Sequence, residues 1–158
     1  MYCLCQAPKL VVQKYFMETY QHQFLQTADE MTPYYDLVMQ MGYLLGREQY
    51  KSYLEEMIPK GYRQLVILEG SKAVGLSGYW INTKLFCGRY VELDNVVVDI
   101  AYRSKGVGAI LCEKIEAEAK ALGCNVAVLD AYVENFRAHS FYFRHNYIIR
   151  GYHFLKQL

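Results

Sequence analysis

The chain has 158 residues and a net charge of +1 at pH 7, from 17 basic and 16 acidic residues. This length suits one domain with a sizeable core, so we expect residues 1–158 to fold as a single domain. The two signs of charge are interspersed, which gives no electrostatic basis for binding nucleic acid or an anionic membrane. The pattern of residues 1–20 favours neither a strand nor a helix.

The cysteine pattern is typical of a protein in a reducing compartment. Neither Cys-x-x-Cys nor a zinc spacing occurs, and the number is odd, so we expect reduced thiols in the cytoplasm. The four histidines show no ligand spacing with acids or cysteines, so no metal site is predicted. Residues 1–20 lack the apolar core of a signal peptide, and no apolar run approaches about 20 residues, so no membrane span is expected. The five cysteines are Cys3, Cys5, Cys87, Cys112 and Cys124.

The first half of the chain predicts a strand, two helices and an antiparallel three-stranded meander. Thr32, followed by proline, begins a helical stretch that reaches about Tyr43. A second helix runs from Arg47 to Ile58 and is ended by Pro59. β-Branched and aromatic runs with turn residues between them predict the strands. The predicted strands cover residues 21–26, 64–68, 73–81 and 89–98.

A turn after the strand predicted over residues 89–98 carries the pattern Arg103-x-x-Gly106-x-Gly108. Glycines here let the backbone come close to a ligand, and the first N–H groups of the following helix are left unpaired. These N–H groups, the positive end of the helix dipole, and Arg103 and Lys105 together favour a phosphate or pyrophosphate site. The alternative from the residues alone is a plain glycine turn between strand and helix.

Two other phosphate-binding loops do not fit this turn. A P-loop requires Gly-x-x-x-x-Gly-Lys-Ser/Thr, which is absent, and this disfavours a protein that uses the loop for ATP. The dinucleotide fingerprint requires a third glycine three residues after the second, where this chain has Leu111. The remaining pattern, Arg-x-x-Gly-x-Gly after a valine-rich strand, resembles the acyl-CoA pyrophosphate loop of the GNAT-type N-acetyltransferase superfamily. The resemblance includes Tyr102 and departs at Ile100, where the family usually has proline.

The second half of the chain extends this resemblance. Apolar residues at helical spacing from Leu111 to Leu122, with Gly123 as a cap, predict a helix, and a strand follows over residues 126–129. Strand, helix and strand in this order form a right-handed crossover between parallel strands. Asn135 is predicted to cap a last helix, which carries Phe-Tyr and precedes a short final strand, as in the superfamily.

The resemblance covers roughly residues 27–158 and implies a fold and a cosubstrate. The fold is mixed α/β: a six- to seven-stranded, mostly antiparallel sheet with helices on both faces and a splayed parallel strand pair at the CoA site. The cosubstrate is acetyl-CoA, and the reaction is direct acetyl transfer to a primary amine of a small molecule, peptide or protein. The residues implied to contact the cosubstrate are Val96, Val97, Val98, Arg103, Ser104, Lys105, Gly106, Val107, Gly108, Asn135 and Tyr142.

The resemblance also implies catalytic roles. Tyr142, seven residues after Asn135, would lie near the CoA sulfur as general acid; an ordinary core aromatic is the alternative. Two carboxylates are candidates for the general base: Asp130, at the end of the strand over residues 126–129, is the first choice, and Asp94 is the second. Each has the alternative of a structural acid that caps a strand end or pairs with an arginine.

The sequence does not specify the acceptor amine. Its site would be formed by the helices near residues 33–58 and the turn near residues 82–88. His139, one turn before Tyr142, is either structural or part of this site. A CoA-binding module without transfer activity is the alternative to the enzyme, and the sequence leaves a homodimer open.

Overall fold

The computed structural model describes residues 20–158. Its strands are β1 (Gln21–Leu25), β2 (Tyr62–Glu69), β3 (Lys72–Lys84), β4 (Gly88–Val98) and β5 (Val126–Leu129). They form one sheet in the order β1-β2-β3-β4-β5, in which the first four strands are antiparallel neighbours and β5 lies parallel to β4. The predicted meander and the predicted parallel crossover are both confirmed.

Helices cover both faces of this sheet, as predicted. They are α1 (Ala28–Met31), α2 (Tyr35–Met39), α3 (Arg47–Met57), α4 (Val107–Ala121) and α5 (Phe136–Arg144). One apolar core lies between the sheet and α4 with α5, and a second lies between the sheet and α1 to α3. β2 contributes alternately to both, since Leu65 and Ile67 belong to the first core and Val66 to the second.

The first helical region begins earlier and is more interrupted than predicted. Thr27 and Glu30 form a capping box, in which Thr27 Oγ1 accepts from the Glu30 N–H at 3.3 Å and the Glu30 carboxylate accepts from the Thr27 N–H at 3.0 Å. Pro33 lies in a short 3₁₀ turn between α1 and α2, because proline lacks the N–H that a helix interior needs. The region ends at Met39 rather than at Tyr43.

The short final strand predicted after the last helix is not formed, so the described sheet has five strands rather than six or seven. Residues 145–158 contain neither helix nor strand. β-Branched and aromatic residues form a strand only where a neighbouring strand supplies hydrogen bonds and burial. Here the large apolar side chains remain mostly exposed, as Ile148 at 71% and Phe154 at 90% illustrate. Asn146, just after the last helix, takes a left-handed conformation with φ 64°.

The parallel strand pair separates before β4 ends. Its pairing runs only from Tyr90 opposite Val126 to Leu93 opposite Leu129, whereas β4 continues to Val98. Over residues 20–158, no strand pairs with the β5-facing side of β4 beyond Leu93. The splayed pair predicted for this fold is therefore present, and it leaves backbone groups of β4 accessible at its carboxyl end.

A β-bulge lies in β4 at the point of separation. Gly78 is opposite Asp94 and Leu76 is opposite Val97, so two β4 residues face Ser77 alone. Asn95 takes a left-handed conformation there, with φ 53°, and Ser77 Oγ donates to the Asp94 carbonyl at 3.3 Å. A bulge shifts the alternation of side chains by one residue. Asp94 and Asn95 are consequently both directed toward the side of the sheet that α1 to α3 cover.

Gly78 provides a stability prediction at this bulge. A Cβ added at Gly78 would overlap the hydroxyl of Tyr62, which is 1% exposed. Overpacking of this kind lowers the free energy of unfolding by about 1–3 kcal/mol. Gly78→Ala should therefore unfold at a lower urea concentration than the parent protein. Gly46→Ala is the control, because a Cβ there meets nothing within 4 Å and the backbone has an ordinary φ of −72°. Equal midpoints for the two variants would contradict the close packing of Tyr62 on β3.

Candidate active site

The turn that follows β4 is fixed by Asp99. Its carboxylate accepts the Ala101 N–H at 2.9 Å and lies 3.4 Å from Lys72 Nζ. The Ala101 N–H, with Lys72 as a further contributor, holds the pKa of Asp99 below its ordinary value. This Asp99 cap starts the short 3₁₀ turn Ile100–Tyr102. The turn therefore has a polar anchor although Ile100 stands where the family usually has proline.

The residues after this turn expose the amino end of α4. Ser104 and Gly106 take left-handed conformations, with φ 64° and 83°, and Gly106 is the N-cap of the helix. Gly106 has no side chain, and no side chain of the described residues caps this terminus in its place. The first N–H groups of a helix lack intrahelical partners. The side chains of Arg103 and Lys105, which precede this terminus, are exposed.

Val107 and Gly108 serve packing as well as this turn. Val107 as a whole residue is 1% exposed and lies in the core between the sheet and α4. A Cβ added at Gly108 would lie 3.3 Å from the Phe141 ring and 3.9 Å from Val98. The second glycine of the motif thus allows α5 to approach α4 closely, a reason that the sequence pattern did not reveal.

The helix α5 places Tyr142 against α4. Its ring is half-buried and lies 5.1 Å from the Phe141 ring and 5.6 Å from the Tyr147 ring, centroid to centroid. Burial raises the pKa of Tyr142, and the neighbouring Cys112 raises it further. The hydroxyl therefore keeps its proton over the neutral pH range. At the start of the same helix, Asn135 Oδ1 accepts the Ala138 N–H at 3.1 Å, which is the predicted N-cap.

His139 has a structural contact. Its Nε2 lies 3.0 Å from the carbonyl oxygen of Tyr132, and its ring packs edge-on against Phe136 at 6.1 Å. These contacts tie α5 to the segment before it. They support the structural alternative for His139.

The two candidate bases lie in different surroundings. Asp94 is half-buried; its Oδ2 accepts from Trp80 Nε1 at 3.2 Å. Burial raises the pKa of Tyr43 and of Tyr62, and the negative charge of Asp94 raises both further. Asp130 is exposed after the end of β5, where its Oδ2 lies 2.8 Å from His153 Nδ1.

A cavity of about 400 Å³ opens between α3, the loop before it and the bulge of β4. Its polar groups are four tyrosines and one amide, joined in part to each other: Tyr43 Oη donates to Asn95 Oδ1 at 2.7 Å, and Asn95 Nδ2 donates to Tyr62 Oη at 3.4 Å. No residue of the turn near residues 82–88 lines it. The lining side chains are Val38, Leu44, Leu45, Leu54, Met57, Tyr43, Tyr50, Tyr53, Tyr62 and Asn95.

Sequence reasoning placed the acceptor site near these helices but did not find the cavity. Tyr50, Tyr53, Leu54 and Met57 recur at helical spacing, which is equally typical of a buried helix face. Asn95 reaches the cavity only because of the bulge in β4. No residue pattern within β4 predicts that bulge.

Three of the five cysteines lie within residues 20–158. Cys87, Cys112 and Cys124 are free thiols. Burial raises the pKa of Cys112 to about 12, so this thiol is protonated and unsuited to act as a nucleophile.

Within residues 20–158, no three side chains of His, Cys, Asp or Glu come together as metal ligands. No helix from residue 20 onward is long and apolar enough to cross a membrane.

An open strand edge followed by a helix terminus without a side-chain cap is suited to an extended, phosphate-bearing ligand. The chain belongs to the acetyltransferase (GNAT) family, whose family model matches residues 16–147. It is therefore an N-acetyltransferase, as the sequence resemblance implied.

Relatives of known structure share this fold. The glucosamine 6-phosphate N-acetyltransferase of Arabidopsis thaliana is 26% identical over 126 residues, which span 75% of this chain and 85% of the relative. A crystal structure of that enzyme matches with a TM-score of 0.70 at 24% identity, over 88% of this chain and 98% of its own. An aminoglycoside N-acetyltransferase in complex with CoA matches with a TM-score of 0.75 at 14% identity, over 88% of this chain and 95% of its own. A further aminoglycoside acetyltransferase comes from an uncultured soil metagenomic sample, and its crystal structure is a complex with sisomicin. It matches with a TM-score of 0.75 at 14% identity, over 90% of this chain and 99% of its own.

Proposed function

We propose that this protein transfers the acetyl group of acetyl-CoA to a primary amine of a small molecule or peptide, by direct attack, in the cytoplasm. The observation that carries the proposal is the uncapped amino end of α4, which lies directly after the splayed end of β4. The three free thiols among the described cysteines agree with a reducing compartment.

The residues of the turn fit a diphosphate group. The N–H groups at the start of α4 and the positive end of its dipole favour an anion, and Arg103 and Lys105 add two exposed cations. Ser104 and Gly106 hold the left-handed backbone of the turn that leads into this helix terminus. Acetyl-CoA would supply the acetyl thioester.

The open edge of β4 would bind the extended arm of the cosubstrate. Val96, Val97 and Val98 lie beyond the last residue paired with β5, so their strand edge has no β5 partner. A backbone N–H on this edge would donate to the thioester oxygen as negative charge builds there, which is a common source of stabilisation in acyl transfer. Asn135 Oδ1 is engaged by the helix cap, so its amide N–H groups remain to donate to the arm.

A general base is needed because an amine attacks only in its neutral form. A lysine-like amine with a pKa of about 10.4 is neutral at pH 7 in only about one molecule in 10³. Asp94 adjoins Asn95, whose amide bonds the hydroxyls of Tyr43 and Tyr62 in the cavity, and this position supports Asp94 as the group that takes the proton. Asp130, the first choice from sequence, stays a prediction, and its neighbour His153 would share in any proton transfer there.

Two measurements on the purified protein test the proposal. Calorimetry should show binding of acetyl-CoA, and an amine panel assayed by thiol release should show turnover with an acetylated product of the expected mass. Binding of acetyl-CoA without turnover on any amine would support the non-catalytic module instead.

Charge reversal in the turn should weaken cosubstrate binding. Arg103→Glu places a carboxylate beside the proposed diphosphate site, and we expect the Kd for acetyl-CoA to rise at least tenfold in calorimetry. Arg89→Glu is the matched control, since it makes the same change of charge at the opposite end of β4, also on an exposed residue. Equal Kd values for the two variants would contradict the assignment of the turn.

A further inference from the structure

The cavity beside the β4 bulge is lined by aliphatic and uncharged polar side chains. Of the ten described residues that line it, none carries a charge at neutral pH; five are aliphatic and four are tyrosines. Leu44 is fully exposed at its rim and Tyr53 is 47% exposed, so a ligand would reach it from solvent. Tyr50 and Leu54, at 6% and 2% exposed, belong to its inner wall.

The basic residues of the helix beside this cavity are already paired. Arg47 contacts Asp36 at 2.9 Å, Lys51 contacts Asp29 at 2.8 Å, and Lys60, just after α3, contacts Glu56 at 2.6 Å. A phosphate group in the cavity would lose its water and gain no cation from the lining. This composition disfavours a phosphorylated amino sugar, which is the substrate that the name of the Arabidopsis relative gives.

The charge that does act on the cavity is negative. Asp94 precedes the lining residue Asn95, and the bulge directs both toward this side of the sheet. Among residues 20–158, the one donor to its carboxylate is Trp80 Nε1 at 3.2 Å, so it retains acceptor capacity for an ammonium group. One carboxylate at an aromatic and aliphatic cavity matches a ligand with one cationic amine and an apolar body. A polyamine such as an aminoglycoside would need several carboxylates.

We propose that this cavity binds an acceptor with a single primary amine on an aromatic or large aliphatic group, with the amine held at Asp94 and the apolar group among the tyrosines and leucines. This inference rests on the proposed function and names the substrate class of that site. The same chemistry occurs in a free arylalkylamine and in a peptide whose first residue is apolar.

The first test compares small amines that differ only in the apolar group. We expect kcat/KM for 2-phenylethylamine to exceed that for ethylamine at least tenfold, and to exceed those for glucosamine 6-phosphate and kanamycin. A short peptide that begins with phenylalanine, assayed beside 2-phenylethylamine, decides between the two sources of the amine. Preference for glucosamine 6-phosphate or kanamycin would overturn the inference and leave the proposed function standing.

The second test uses variants at the rim. Leu44→Arg puts a cation where the ammonium must enter and should raise KM for 2-phenylethylamine at least tenfold, with the Kd for acetyl-CoA unchanged. Leu158→Arg is the matched control, because Leu158 is as exposed, at 115%, and does not line the cavity. Equal KM values for the two variants would overturn the inference.

A binding measurement makes the inference independent of turnover. N-(2-phenylethyl)acetamide, the product expected from 2-phenylethylamine, should bind the protein in calorimetry, and Leu44→Arg should weaken that binding more than Leu158→Arg. Failure to bind acetyl-CoA would count against the proposed function alone. Absence of product binding to the parent protein would count against the cavity.

Discussion

Asp94→Asn should lower turnover at pH 7 by about 10²–10³-fold, within the range for loss of one positioned acid or base. The substitution keeps the size of the side chain and an oxygen that can accept from Trp80 Nε1. What it removes is the capacity to take a proton from the acceptor ammonium. The defect should shrink as pH rises from 7 toward 10, because the neutral amine then becomes abundant without help.

The matched comparison is Asp130→Asn, measured over the same pH range with the same amine. The larger pH-dependent defect identifies the base, and both variants should keep the parent's affinity for acetyl-CoA. If Asp130→Asn shows that defect, the sequence-based first choice is right and the bonded His153 becomes a candidate for proton relay. A constant defect from pH 7 to 10 in both variants would mean that neither carboxylate acts as base.

The sequence correctly predicted those parts of the fold that depend on residue patterns within a short segment of the chain. The valine-rich strand, the turn with Gly106 and Gly108 and the amphipathic helix after it are each readable within about 15 residues, and the crossover rule then fixes their parallel arrangement. The family motif added the site, since the exposed amino end of α4 lies where the motif places it.

The features that the sequence did not predict depend on contacts between distant segments. Residues 147–158 have strand-like composition, yet no described strand pairs with them, so propensity alone gave a wrong strand. The bulge at Asn95 is set by pairing with β3, and its partner Tyr43 lies 52 positions away in sequence. The capping box of Thr27 and Glu30 is the exception, because its Thr-x-x-Glu pattern is local and could have been read.

Tyr142→Phe should reduce turnover by about 10²–10⁴-fold while changing the KM for acetyl-CoA little, if Tyr142 donates to the leaving thiolate. Burial keeps the hydroxyl protonated, since it raises the pKa of Tyr142 above the ordinary tyrosine value of about 10. The defect should therefore stay nearly constant from pH 7 to 9, in contrast to that of the base variant. This difference in pH dependence separates the two roles within one set of assays.

Tyr147→Phe is the control for the loss of a partly buried tyrosine hydroxyl. The Tyr147 hydroxyl donates to Glu116 Oε1 at 2.7 Å, and its ring packs against Tyr142 at 5.6 Å between centroids. Removing it should cost about 1 kcal/mol of stability, as for a typical hydrogen bond, with turnover close to that of the parent. If Tyr142→Phe instead stays within about a factor of three of the parent's turnover, its hydroxyl has no role in the chemistry, and the ring serves the packing of α5 on α4. The thiolate would then leave without a protein donor at this position, which is feasible because a thiolate is a weak base compared with an amine.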